Sequence, residues 1–195
     1  VFAVDPGNLV SYENGSTTTY SLVGTDTGTL TGGVVFNGGN GGVWGFDGTN
    51  DYIAVSNLGL SSHTIEGWIN SSDGSQGGTG AATIVTAIGD YSGGVADKYT
   101  YIGFLGNNKL TYRIDDLTTS HRLVADYTYT ADQWYHVALS YDSGTGVTVA
   151  YLNGNSIGSI TSTTGLTFDS VPFNIAQSDY NNQSFDGLVG PVRAY

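Results

Sequence analysis

The apolar residues of this chain recur at every second position, in short runs that end on Gly, Asn or Asp. No stretch sustains the period of about 3.6 residues that an amphipathic helix needs. Residues 63–70 (HTIEGWIN) show the pattern best. Ile65, Gly67 and Ile69 fall on one face and Thr64, Glu66 and Trp68 on the other, as in a strand with one side buried. Residues 133–141 repeat it, with Tyr135, Val137, Leu139 and Tyr141 opposite Trp134, His136 and Ala138. Asn153-Gly154, the strongest short hairpin signal, joins a strand at 147–152 to one at 156–160. Asp47-Gly48 gives a second hairpin-type turn between 43–46 and 52–55. Further strands are predicted at 82–88, 98–105, 109–114, 171–176 and 184–195, with shorter pieces before Gly42. A turn signal roughly every 8–12 residues predicts an all-β sandwich or barrel.

Composition agrees. Gly is 30 of 195 residues, about twice the usual 7%. Thr, Val, Ile and Tyr are common. Straight-chain helix formers are scarce: Glu13 and Glu66 are the only glutamates, Lys98 and Lys109 the only lysines, and Met is absent. The polar stretch 71–80 (SSDGSQGGTG) is a loop too small to separate two cores, so 1–195 reads as one domain. A chain of this size buries about 70% of its unfolded surface and needs no covalent staple. Cysteine is absent, which excludes disulfides, thiolate metal sites and cysteine nucleophiles.

Charge excludes whole classes of partner. Five Lys and Arg against 17 Asp and Glu leave −12, so nothing on the chain can neutralise a run of phosphates, and nucleic acid is excluded as a partner. An anionic membrane surface repels it for the same reason. No run of about 18 apolar residues exists to span a bilayer as a helix. The chain opens on Val1 without a leader-like segment and reads as the ordered or processed part of a longer protein.

The residues that could carry chemistry form few patterns. Glycoside hydrolysis requires two carboxyl groups about 5.5 Å or about 6.5–9.5 Å apart. Glu66 has no acidic neighbour two positions away, and Asp115-Asp116, being adjacent, face opposite ways in a strand and read as solvated surface acids. Residues 154–158 match GxSxG, but they follow a hairpin turn and precede a strand, so the strand-to-helix elbow that the motif requires is missing. His63, His121 and His136 lack paired-ligand spacing, and His136 beside Trp134 reads as a structural histidine. Residues 47–51 and 179–183 are loop-like and rich in oxygen ligands suited to Ca2+, although Asp and Asn serve turns in the same way. Of 14 Tyr, Tyr91, Tyr99 and Tyr180 sit beside polar loop residues. A sugar offers an apolar face for stacking and hydroxyls for amides and carboxylates, so Asp90, Tyr91, Asn107, Asn108, Asp179, Tyr180, Asn181 and Asn182 are the candidate ligand contacts. The same residues suit a polar protein interface.

Several segments together resemble the laminin-G-like, concanavalin-A-like jelly-roll family. They are FDGTNDYIAV (46–55), TIEGWIN (64–70), WYHVALSYD (134–142) with YLNG (151–154), and the closing FDGLVGPVRAY (185–195). Val4-Asp5-Pro6-Gly7-Asn8 with Ser11-Tyr12 is similar to an opening found in family members from phage structural proteins and marine bacterial surface proteins. The resemblance implies an antiparallel jelly-roll β-sandwich that binds glycans or proteins, frequently with calcium. Two departures stand out. Many relatives carry an acidic pair where this chain has Gly190-Pro191, and the catalytic Glu-x-Asp-x-Glu of the glucanase branch is missing.

The sequence therefore predicts a non-catalytic recognition module for surface glycans, extracellular or on a virion. The alternative is a purely structural decoration or fibre domain that contacts sibling subunits, with oligomer formation compatible with either. A glycoside hydrolase or lyase is third. Fold alone does not choose among them.

Overall fold

A computed structural model describes residues 1–71, 82–89, 98–105, 109–116, 118–168, 172–177 and 183–195. Among them the strands are β1 (Phe2–Val4), β2 (Thr18–Tyr20), β3 (Thr27–Thr31), β4 (Val35–Asn37), β5 (Val43–Asp47), β6 (Tyr52–Val55), β7 (His63–Ser71), β8 (Ala82–Gly89), β9 (Lys98–Leu105), β10 (Lys109–Asp116), β11 (Ser120–Thr128), β12 (Tyr135–Asp142), β13 (Val147–Leu152), β14 (Asn155–Thr161), β15 (Phe173–Ile175) and β16 (Asp186–Ala194). A 3-10 turn at Gly39–Gly41 precedes β5. All pairings are antiparallel. Sheet I runs β14-β13-β12-β7-β16-β5-β4, with β1 also on β16; sheet II runs β11-β10-β9-β8-β15-β6-β3-β2. The two sheets pack into the jelly-roll β-sandwich that the family resemblance implies.

The core lies between the sheets and follows the alternation read in the sequence. Ile65 and Ile69 of β7 and Val137 and Leu139 of β12 are buried, as are Ile53, Ile102, Tyr112, Ile114 and Phe173 of sheet II. Phe2 meets Phe173 edge-on at 5.8 Å between ring centroids. The Tyr112 hydroxyl donates to the Tyr151 carbonyl at 2.7 Å, tying β10 to β13 of the other sheet. Asn153-Gly154 forms the predicted hairpin, both residues with positive φ (50° and 80°). The GxSxG match lies in that turn and in β14, as expected for a hairpin.

Asp47-Gly48 departs from expectation. β5 and β6 belong to different sheets, so the segment between them crosses the sandwich instead of folding back. Gly48 (φ 74°) donates its N–H to the Phe185 carbonyl at 3.1 Å, and a Cβ there would lie 2.8 Å from the Asp186 Cβ. Asp51 is buried and accepts the N–H groups of Asp47 and Gly33, which fixes the crossing. Strand β11 carries no clean sequence signal, because Arg122 and Asp126 interrupt its apolar residues. It forms by pairing with β10 at the sheet edge, which leaves Val124 and Tyr127 exposed.

Asp115-Asp116 do face opposite ways, but neither is a solvated surface acid, because both are buried. Arg113 grips Asp115 through Nε–Oδ1 at 2.8 Å and Nη2–Oδ2 at 2.6 Å. Asp116 accepts from the Thr118 hydroxyl (2.8 Å), the Thr119 N–H (2.8 Å), the Thr163 hydroxyl (2.8 Å) and N–H (3.0 Å), and His121 Nε2 (2.8 Å). It thereby joins the end of β10, the start of β11 and the segment after β14. Burial pulls its pKa upward, but the hydrogen bonds from Thr118, Thr163, Thr119 and His121 outweigh it and hold the carboxyl far below the usual range.

His63, at the start of β7, is buried against Tyr141 and Phe168, and its Nδ1–H donates to the Ser61 carbonyl at 2.8 Å. Burial lowers its pKa from 6.5 to about 4, the bond to Ser61 opposing this.

Two pH windows follow. Between about 6.5 and 4 the unfolded chain protonates His63 and the folded chain does not, so stability is full above 6.5 and falls with pH, by on the order of 3 kcal/mol. His63→Phe should flatten this slope in urea titrations at a series of pH values. Asp116 stabilises the fold above its unfolded pKa of 3.8, a contribution lost as the pH drops below that. Asp116→Ala should cost about 2–4 kcal/mol at neutral pH and remove the steep loss at the acid end, read by the same titrations.

Candidate functional site

The predicted contacts Asp90, Tyr91, Asn107, Asn108, Asp179, Tyr180, Asn181 and Asn182 lie outside the described residues. The described residues place a different set of groups together, on the outward face of sheet I.

Strand β7 is central there, between β12 and β16. Its period-two pattern sends Ile65, Gly67 and Ile69 into the core and Thr64, Glu66, Trp68 and Asn70 outward. On one side His136 is the register partner of Trp68. On the other, Ile69 pairs with Val189 and Gly67 with Val192, so two residues, Gly190 and Pro191, oppose the single Trp68. This is a β-bulge, one of the few ways a strand inside a sheet tolerates proline. Gly190 leaves room beside the rings: a Cβ there would lie 3.3 Å from the Trp68 Cβ and 3.9 Å from Trp134 Cζ3. The result is a hollow of about 360 Å³ lined by Asn40, Val43, Trp68, Trp134, Gly190 and Pro191. Trp68 is 44% exposed although it sits in the middle of a sheet. Trp134 is half-buried.

Charged groups stand beside the rings. Glu66, next outward on β7, holds Arg193 Nη1 at 3.1 Å on one carboxylate oxygen and lies 3.3 Å from His136 Nε2 on the other. The His136 ring packs against Trp68 at 5.3 Å. His136, read from its position beside Trp134 as a structural histidine, packs on Trp68 and pairs with Glu66. The site can stack one flat apolar face and offer hydrogen bonds at its edges.

The outward face of sheet II differs. Tyr99 and Tyr101 of β9, Arg113 and Asp115 of β10 and Asn174 of β15 are all buried, so Tyr99 is a covered strand residue and not a loop tyrosine. The two tyrosine rings lie 5.4 Å apart. Burial raises the Tyr101 phenol pKa, against Arg122 and Arg113. This cluster is polar and aromatic but closed.

No group of three or more His, Asp or Glu that could hold a metal occurs among the described residues. The oxygen-rich 47–51 loop spends its carboxylates on backbone N–H groups, its own and that of Gly33. Asp51 binds the N–H groups of Gly33 and Asp47, and Asp47 accepts the Thr49 N–H at 2.8 Å. Gly190-Pro191 supply a bulge instead of the acidic pair of many relatives, so the residues there do not fit calcium.

The sequence does not single out Trp68 and Trp134 as site residues, although the alternation puts both on the polar side; Trp68 stands on the outward face of β7 and Trp134 just before β12. The signal was there, since the largest apolar ring on the side away from the core is itself an anomaly. Asn40, Gly190 and Arg193 carry none, because only the sheet order brings them beside Trp68.

A search of curated protein sequences finds no match. Among solved structures the chain resembles domain 4 of AbnA, a GH43 extracellular arabinanase from Geobacillus stearothermophilus, in complex with arabinotriose. Identity is 18% and the TM-score 0.68, covering 100% of this chain and 90% of that one. The botulinum neurotoxin serotype G binding domain matches at 14% identity and TM-score 0.71, over 100% of this chain and 47% of that one. The Ruminococcus gnavus IT-sialidase CBM40 matches at 14% identity and TM-score 0.52, over 70% of this chain and 76% of that one. At such identities the likeness is one of fold. A laminin G family model, described as that of the concanavalin A-like lectin/glucanases superfamily, matches residues 47–195. The chain belongs to that superfamily.

Proposed function

We propose that residues 1–195 act as one non-catalytic module that binds a glycan in the Trp68–Trp134 hollow. The observation that carries this reading is the exposure of Trp68 beside a second tryptophan, in a hollow lined by Asn40, with His136 packed on Trp68 and paired, like Arg193, with Glu66. Leaving an indole in water forgoes stabilisation that the core would supply, and a ligand's apolar face laid on it would recover part of that. Two fold relatives support the reading by what was bound to them, arabinotriose in one and sialyllactose in the other. The non-enzymatic reading is supported by Glu66, the acid beside Trp68, whose two oxygens already face Arg193 and His136. The AbnA relative is part of an extracellular enzyme, which supports a location outside the cell.

A second reading, a decoration or fibre domain that contacts other protein subunits, is favoured by a separate feature. Leu9 and Val10 are 84% and 73% exposed, and Val1, Tyr20, Leu22 and Val23 are exposed near them. The Tyr20 and Leu22 N–H groups bond to the Ser11 and Ala3 carbonyls and bring these segments together. An apolar group of this kind suits a protein contact. One molecule can do both.

Trp68→Ala should weaken binding of any glycan found on an array by about tenfold or more, or about 1.4 kcal/mol, by calorimetric titration. Its melting temperature should stay close to that of the parent, because the side chain is exposed. Gly190→Val should fill the hollow from the opposite wall. It should weaken binding to a similar degree with both indoles still in place, at a folding cost of about 1–3 kcal/mol, read by titration and thermal melting. Glycan binding unchanged in both variants would show that the hollow is not the site.

A further inference from the structure

The outward side chains of β7 line three hollows in succession. Asn70 lines one of about 650 Å³ with Gly45, Asp47, Asp132, Asp186 and Leu188. Trp68 lines the hollow of about 360 Å³ described above. Thr64 lines a third, of about 530 Å³, with Ser140, Val147, Val149 and Tyr195. Glu66, braced by Arg193 and His136, follows Trp68 and precedes Thr64 along the strand. Asn70 and Thr64 are six residues apart, about 20 Å along a strand rising ~3.3 Å per residue. Gly45 and Gly190 keep the floor low beside this line. A single sugar ring covers one hollow; only an extended chain reaches all three.

We propose that this face binds a linear, uncharged oligosaccharide laid along β7. One ring stacks in the Trp68–Trp134 hollow, and its neighbours reach Asn70 on one side and Thr64 with Ser140 on the other. Charge sets the class. Asp47, Asp132 and Asp186 line one end hollow and Asp142 the other. Arg193 is the cation on this face among the described residues, and it is held by Glu66. Lys98, Lys109, Arg113 and Arg122 belong to β9, β10 and β11 of sheet II. A carboxylate or sulfate on the sugar would enter a negative field, within a chain of net charge −12, and find no uncommitted cation to meet it.

The inference rests on the Trp68 hollow being a sugar site, and its test separates the two. The intact chain is titrated calorimetrically with arabino-, cello- and manno-oligosaccharides from mono- to hexasaccharide, and with oligogalacturonates and sialyllactose, at low and at physiological salt. For at least one neutral series, affinity should rise about tenfold or more from mono- to tetrasaccharide and then level off. Asn70→Ala and Thr64→Ala should each lower hexasaccharide affinity several-fold, and disaccharide affinity less. Binding that needs Trp68 but is as tight for a monosaccharide as for a hexasaccharide would overturn the extended groove and leave the Trp68 site standing. Tighter binding of the anionic sugars at low salt would overturn the charge argument. Absence of any binding that needs Trp68 would overturn both the inference and the site reading beneath it.

Discussion

Strand β7 is hydrogen-bonded on both sides, to β12 and to β16, and this pairing fixes where each of its side chains goes. A strand so held cannot rotate, so the residues excluded from the core must point outward. Ile65 and Ile69 are buried, and the same constraint drives Trp68 into solvent. A slip of one residue would exchange the two sets, which the burial of the isoleucines forbids. The exposed indole is therefore a consequence of the register, and the bulge at Gly190-Pro191 opens the space next to it.

Acids hold much of the remainder in place. Asp51, Asp115 and Asp116 are buried and act as acceptors, Asp51 for backbone N–H groups, Asp115 for a guanidinium, Asp116 for both backbone and side-chain donors. Five lysines and arginines stand against 17 acids, which leaves a net charge of −12. That asymmetry shapes the proposed ligand as strongly as the tryptophans do. Stacking selects for a flat apolar face, and the surrounding field selects against anions.

The fold was legible where the alternation was clean. The faces of β7 and β12 and the Asn153-Gly154 hairpin could be read directly, because each depends on neighbours within a few residues. β11 could not, since it exists through its partner β10. Asp47-Gly48 misled for a related reason: a local turn preference says that the chain bends, and the packing of Gly48 against Phe185 and Asp186 decides toward which sheet. Asp116 looked solvated because nothing nearby in sequence announces Thr163, and Asp115 because its spacing from Arg113 does not say that their shared face is covered.

The sequence by itself determined the strand pattern, the family and the side of each strand on which its tryptophan stands, because side-chain direction in a strand depends only on parity. Tertiary structure alone decided that Trp68 and Trp134 meet, that Gly190 and Pro191 lie against them, and that Glu66 is occupied by Arg193 and His136. Those groups come from segments more than a hundred residues apart, from Asn40 to Arg193. Their proximity is set by the order of strands within a sheet, which hydrogen bonding between distant segments establishes and no local pattern encodes.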